Sequence, residues 1–173
     1  VPLTVLQETD STNKRCIALA LDGAVNGTTV VSDKQTGGRG RLGRSFYSPS
    51  GKGIYLSMVL KPDFDISKSV LITVASSVAV AKAIEKVCGI TPEIKWVNVI
   101  YIEGKKVCGI LCEAVTDFES GEITNVIPGI GINCREMDFP DEIKDTAGFI
   151  PGSYGRSDLA AEVINQMMEI TKN

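Results

Sequence analysis

The feature that most restricts this chain is the run from Gln35 to Lys52, QTGGRGRLGRSFYSPSGK, which separates two short strand-like stretches. Thr28–Ser32 (TTVVS) is β-branched and reads as a buried strand; Ile54–Leu60 (IYLSMVL) reads as a second. Connections in compact domains are usually about 2–6 residues, and one of roughly 20 is typically functional or disordered. Here Arg39, Arg41 and Arg44 are interleaved with Gly37, Gly38, Gly40 and Gly43. Glycine lets backbone come close to a ligand. Arginine offers a fixed fork of donors matched to phosphate and carboxylate oxygens. Two readings stand: a clamp for an anion, or a solvated and mobile basic loop. Both hold if the loop orders on a ligand.

The charge distribution favours a local anion site. The chain carries −3 overall, which argues against sequence-independent nucleic-acid binding across its surface. Yet Lys34, Arg39, Arg41, Arg44 and Lys52 crowd one segment against a single acid, Asp33. The sequence holds no histidine, so Ser-His-Asp and Cys-His catalysis and the common histidine metal sites are excluded. Five cysteines, Cys16, Cys88, Cys108, Cys112 and Cys134, are scattered without a C-x-x-C. They read as small buried hydrophobes of a reducing cytoplasm, with a zinc site the lesser alternative. No apolar run reaches the roughly 18 residues of a membrane span, and no signal-peptide pattern opens the chain. At 173 residues one domain is expected.

The remaining elements follow from patterning. Residues 2–7 suggest a short strand, and Asp10-Ser11-Thr12-Asn13 opens a helix through Lys14–Leu21 that ends near Gly23. Three capping-competent residues in succession exceed what one cap requires, so a plain cap and a ligand role are both open for Ser11, Thr12 and Asn13. The spacing predicts a main helix over Ser67–Cys88, capped by Ser67 and stopped by Gly89. Glu93–Trp96, Ile100–Ile102 and Val107–Cys112 read as strands, the last two joined by a hairpin turn at Glu103-Gly104. Lys106 starts the second arm and reads locally as a solvated hairpin lysine or a site residue. Ile123–Asn133 is a further strand, expected not to be a plain central one because it contains Pro128, Gly129 and Gly131. A last helix, Asp158–Thr171, is expected with Ser157 as its cap; residues 141–155 resist assignment. The expected class is α+β: a mixed, mostly antiparallel sheet with helices packed mainly on one face.

Two phosphate-binding motifs are excluded. G-x-x-x-x-G-K-[ST] is absent, and GGRGRLG links two strands without opening a helix, unlike the dinucleotide fingerprint.

Four blocks in order resemble the catalytic domain of biotin protein ligases, also called biotin–[acetyl-CoA-carboxylase] ligases: DSTN at 10–13, QTGGRGRLGRSFYSPSGKGIYLS at 35–57, KWVNVIYIEGKKVCGILCE at 95–113 and GIGIN at 129–133. The resemblance implies a fold similar to class II aminoacyl-tRNA synthetases and lipoate ligases. It implies activation of biotin with ATP and Mg2+ to biotinyl-5′-AMP, then transfer to a lysine of a biotin carboxyl carrier domain. By resemblance Ser11, Thr12, Asn13, Gln35, Arg39, Gly40, Arg41 and Lys106 bind biotin. Gly38, Arg41, Arg44, Asn98, Lys106, Asn133 and Phe149 bind ATP or the adenylate, with Lys106, Arg41 and Arg39 as the catalytic group. Trp96 and Phe46 resemble supporting aromatics of the site wall. No protein metal ligand is implied. The expected setting is cytoplasmic, without membrane or nucleic-acid partners, and a homodimer through sheet edges is compatible with the family.

Departures from the family pattern matter too. Val99 stands where the family usually has Asp, removing a carboxylate near the reacting centre. A single domain over 1–173 is expected, with neither an N-terminal winged helix-turn-helix nor a C-terminal SH3-like domain within it. The rival to a working ligase is a truncated or degenerate module that binds biotin or biotinyl-AMP with weak or no turnover. A lipoate or octanoyl ligase would share the fold but lack the GRGRLGR loop in this form.

Overall fold

A computed structural model describes residues 1–63 and 69–172. The elements, in chain order, are β1 (Leu3–Leu6), α1 (Thr12–Leu21), β2 (Thr29–Ser32), β3 (Gly53–Met58), α2 (Ser69–Cys88), β4 (Glu93–Lys95), β5 (Val99–Ile102), β6 (Lys105–Thr116), β7 (Ile123–Asn133) and α3 (Arg156–Ile170). The strands form one seven-stranded sheet in the order β1-β2-β3-β7-β6-β5-β4. Only β1 and β2 run parallel; every other neighbouring pair is antiparallel. The expected α+β class and mixed, mostly antiparallel sheet are what the chain adopts.

Alternation along the central strands divides the sheet into two unlike faces. Ile54, Leu56 and Met58 of β3, Ile130 and Ile132 of β7, and Cys108 and Ile110 of β6 point one way. They form a continuous core with Ala79, Val80, Ala83 and Ile84 of α2 and Leu159, Val163 and Met167 of α3. Each such aliphatic side chain contributes roughly 1.5–3 kcal/mol when fully buried. The other face carries α1, whose Cys16 and Ala20 pack on Val30, Val115 and Ile127. Two helices thus cover one face and one helix covers part of the other.

Several local expectations hold for physical reasons. Gly89 leaves α2 with φ +70, a conformation glycine adopts without strain. Glu103 and Gly104 both have positive φ, as a tight hairpin between right-twisted strands requires. Ser67, the expected cap of α2, lies outside the described residues. The cap of α3 is Gly155 and not Ser157: the Gly155 carbonyl accepts the first helical bond, from Leu159 N at 3.1 Å. Arg156, one residue later, reaches back to the Gly53 carbonyl and the Asp33 carboxylate, each at 2.9 Å, which sets where the helix begins.

β7 is central but not plain. It is paired with β3 on one side and β6 on the other. Pro128 is accommodated by a gap in one ladder. Val126 and Leu60 exchange two 2.9 Å hydrogen bonds, so Pro128, two residues on, turns its missing donor toward the same neighbour. The regular β3–β7 pairing accordingly stops at Ser57↔Gly129 and returns only at the isolated Leu60↔Val126 bridge. Among the described residues no helix is long and apolar enough to cross a membrane.

Candidate active site

The face beneath α1 is built from the residues that alternate with the core. Tyr55 and Ser57 of β3, Gly129 and Gly131 of β7, and Gly109, Leu111 and Glu113 of β6 lie on it, side by side in register. Its glycines permit close approach by other groups. A Cβ at Gly129 would lie 2.1 Å from Asn13 Oδ1, and one at Gly131 would lie 2.4 Å from the Phe46 ring. These contacts leave no room for a side chain. The β7 glycines therefore serve to seat the start of α1 and the end of the long loop directly on the sheet.

The long loop folds back on itself. Arg39 pairs with Ser45, Gly40 N donates to Arg44 O at 2.7 Å, and Phe46 N donates to Gly38 O at 2.9 Å. Arg41–Gly43 makes one 3₁₀ turn at the tip, with Leu42 at φ 57. At the base, Asp33 accepts from the Ser50 hydroxyl, Gly51 N and Arg156, and the Ser50 hydroxyl, followed by Arg156, holds its carboxyl below the usual carboxylate value.

Between this hairpin, α1 and the sheet lies a cleft lined by both polar and apolar groups. Ser11, Thr12, Asn13, Gln35, Arg39, Gly40, Arg41, Asn98 and Lys106 all line it, together with Phe46. Its closed end is a directed hydrogen-bond network. Gln35 Oε1 accepts from Thr12 N at 2.9 Å, and the Thr12 hydroxyl meets Ser57 Oγ at 2.7 Å. Ser57 donates to Asn13 Oδ1, while Asn13 Nδ2 donates to Glu113 Oε1 at 2.8 Å and to Leu111 O at 3.2 Å. Ser11 is both cap and lining residue, its hydroxyl accepting from Lys14 N at 3.4 Å.

The other end is cationic. Lys106 reaches the cleft through a bulge: Ile100 pairs with Cys108 but Tyr101 pairs with Lys106, so one extra β6 residue, Val107, is inserted. Val107 and Cys108 are then both buried in the core, and Lys106 turns to the opposite face over Gly109. Burial, and next in the same direction the nearby Arg44 guanidinium, push the Lys106 pKa below the usual lysine value. Its Nζ lies 5.9 Å from the centre of the Phe46 ring. Among the described residues Lys106, Arg41 and Arg44 make no ion pair. Like charges held together without a carboxylate form a site prepared for an anion.

Other predicted residues fall around the cleft. Gly38 is a packing position: a Cβ there would meet Phe46 O at 2.5 Å and Ser48 Oγ at 2.7 Å. The Asn98 side-chain amide donates to Ile110 O at 3.1 Å, which ties β5 to β6 at the cleft wall. Asn133 and Phe149 stand beside the cleft. The segment around Phe149 is joined to Lys106 through Gly148 N→Lys106 O (2.8 Å) and to Asn133 through Ile150 N→Asn133 O (2.9 Å). Asn133 Nδ2 donates to Gly148 O, and its buried Oδ1 has no partner. Phe46 takes the wall position expected of it, whereas Trp96 is 79% exposed and does not line the cleft. Arg39 differs from Arg41 and Arg44, since it donates to Glu113 at 2.6 Å.

Two residues of the network behind the cleft were not foreseen from the sequence. Ser57 is fully buried, and its signal was a lone serine in the apolar run IYLSMVL. Glu113 ends a strand whose alternation places it with Gly109 and Leu111, but its partners come from distant segments. The five cysteines are free, with Cys16, Cys108 and Cys134 buried, and burial raises Cys16 to about 12. Among the described residues no group of three or more acidic or cysteine side chains gathers as a metal cage.

A sequence model of the biotin/lipoate A/B protein ligase family matches residues 5–133. Among curated proteins, the chain is 42% identical over 160 residues to the bifunctional ligase/repressor BirA of Bacillus subtilis, covering 91% of this chain and 49% of that protein. It is 29% identical over 150 residues to the biotin–[acetyl-CoA-carboxylase] ligase of Mycobacterium tuberculosis, covering 84% and 53%. The chain spans about half the length of the curated relatives it matches. Among solved structures, the biotin protein ligase of Aquifex aeolicus in complex with biotin and ATP superposes with a TM-score of 0.82 at 34% identity, over 99% of this chain and 70% of that one. With a family match across most of its length and a relative of this identity, the chain belongs to the biotin/lipoate A/B protein ligase family.

Proposed function

We propose that the chain activates biotin with ATP to biotinyl-5′-AMP and passes the biotinyl group to a lysine of a biotin carboxyl carrier domain. The observation that carries this reading is one cleft with two unlike ends. Buried neutral donors and acceptors close one end, and cations without acidic partners crowd the other. Biotin has a polar ureido ring, an apolar body and a carboxylate, in that order. Its ureido end suits Ser11, Thr12, Asn13 and Gln35, and its carboxylate then points toward Lys106 and Arg41. ATP would meet Arg41, Arg44 and Lys106 through its phosphates, with the unpaired Asn133 Oδ1 and the ring of Phe149 at the adenine end.

In the first step a biotin carboxylate oxygen bonds to the α-phosphorus and pyrophosphate leaves. In the second, a carrier lysine amine bonds to the acyl carbon, a proton is lost and AMP leaves. Neither step needs a protein nucleophile. Lys106, Arg41 and Arg44 would hold two negative reactants in line and stabilise the charge that develops between them. Magnesium would neutralise phosphate charge when bound with the nucleotide. The described residues form no cage for it, so the phosphates would be its main ligands. ATP use and free thiols suit a cytoplasmic setting, and no nucleic acid enters this reading.

A second reading is favoured by Val99, which pairs with Gly109 directly beneath the Lys106 side chain. A carboxylate there would lie beside the reacting cations, and valine cannot supply one. The chain would then bind biotin or its adenylate with little turnover. Biotin-dependent ATP–pyrophosphate exchange separates the two. Exchange that continues into carrier biotinylation supports the ligase; biotin binding without exchange, restored by Val99→Asp, supports the module.

A further inference from the structure

The long loop is fastened at two places that differ in kind. Its base is held by the Asp33, Ser50, Gly51 and Arg156 contacts and by Gln35 Nε2 donating to Ser48 Oγ at 3.0 Å. Its tip, the Arg39–Ser45 hairpin, reaches the body through the Phe46 ring on Gly131 and through Arg39. Arg39 meets a single carboxylate oxygen, Glu113 Oε1, which also accepts from Asn13 Nδ2 at 2.8 Å. One oxygen therefore joins three segments: the start of α1, the far end of β6 and the tip of the loop. Both side chains are only partly exposed, Arg39 at 37% and Glu113 at 25%.

We propose that Glu113 is a positioning residue that latches the glycine–arginine hairpin over the cleft, and that Arg39 is the arm of this latch and not a cation of the reacting centre. Arg39 is already paired with the Glu113 carboxylate, unlike Lys106, Arg41 and Arg44, so it adds little charge to an incoming phosphate. Its position ties loop closure to the closed end of the cleft. Asn13 shares this oxygen with Arg39 and accepts from the Ser57 hydroxyl on its other side. A ligand that re-aims Asn13 therefore changes what Glu113 offers the loop. The link to biotin rests on the proposed function, whereas the latch itself does not.

The first test needs no ligand. Hydrogen exchange is followed at the loop amides of Gly40, Arg44 and Phe46 in Glu113→Gln, Glu113→Ala, Arg39→Gln and the double variant Arg39→Gln/Glu113→Gln. The expected result is exchange faster by at least tenfold at these amides, unchanged exchange at Ile130 and Ile132 in the core, and no further increase in the double variant. The charge-exchanged pair Arg39→Glu/Glu113→Arg should recover most of the lost protection. Unchanged loop exchange, additive single effects, or loss of protection throughout β7 would each overturn the latch. The second test is the rate of biotin release, expected to rise at least tenfold in Glu113→Gln with little change in association. An unsubstituted chain that binds no biotin overturns the proposed function and leaves the exchange result standing; binding with an unaltered release rate overturns the coupling.

Discussion

The two faces of the sheet are made from the same strands and built to opposite rules. Under α2 and α3, successive inward residues are Ile, Leu, Met, Val or Cys, and the layer is filled. Under α1 the alternate positions are Gly109, Gly129, Gly131, Ser57 and Glu113, and the layer is a cleft with a polar floor. Close packing of branched side chains stabilises by excluding water and void. Glycines and buried hydroxyls contribute little of that, but they let Asn13, Phe46 and Lys106 approach one another. One face supplies the stability that allows the other to remain open.

Substitutions on each face sharpen this contrast. Leu56→Ala, fully buried on the packed face, should lower unfolding stability by about 3 kcal/mol in urea denaturation, with biotin affinity of the folded fraction unchanged. Affinity that fell in parallel would mean the faces are not independent. Gly131→Ala, on the open face, should reverse the pattern. Its Cβ displaces the Phe46 ring, so titration calorimetry should show biotin affinity weakened about 100-fold, or about 2.7 kcal/mol, while stability changes by less than about 1 kcal/mol. Ser57→Ala sits between the two cases. Loss of its hydroxyl leaves Thr12 and Asn13 short of a partner, and a fall of about 1 kcal/mol in both stability and binding is expected.

The smallest expected effect is in pH dependence. Because the Lys106 pKa is lowered by burial, its charged form is disfavoured by folding. Adenylation that depends on its charge should decline on the alkaline side before the ordinary lysine value of 10.5 is reached. Lys106→Arg, which stays charged, should shift that decline upward in a pH–rate profile of pyrophosphate exchange. The same shift carries a stability sign. A lysine with a lowered folded-state pKa disfavours the native state while both states are charged, and that penalty is relieved as pH rises through the folded value and above. An alkaline limb identical in both proteins would remove Lys106 from the titrating step.

Much of this arrangement was legible in the residues. The α+β class, most element positions and the Glu103-Gly104 turn follow from patterning, and most of the polar cleft-lining residues, with Phe46, from four recognisable blocks. β7, with Pro128 and two glycines, reads as something other than a plain central strand; it is central, but its ladder to β3 is interrupted at Pro128 and the cleft lies against Gly129 and Gly131. The misses share a cause. Ser157 has the better capping side chain, yet Gly155 caps α3 because Arg156 is drawn to Asp33, a partner from β2's end of the chain. Trp96 was expected at the site wall and faces solvent instead.

Composition and local order establish what the chain can do chemically. With no histidine and with arginines set among glycines, it is suited to hold anions and not to attack a carbonyl through a histidine-activated nucleophile. Local order also marks which residues are unusual for their surroundings. Their roles depend on neighbours remote in sequence. A bulge at Val107 turns Lys106 from the core to the cleft. The fold brings Glu113 to Arg39 across 74 residues, giving one of three similar arginines an acidic partner. Periodicity reports which face a side chain prefers; pairing register and long-range contact decide what waits for it there.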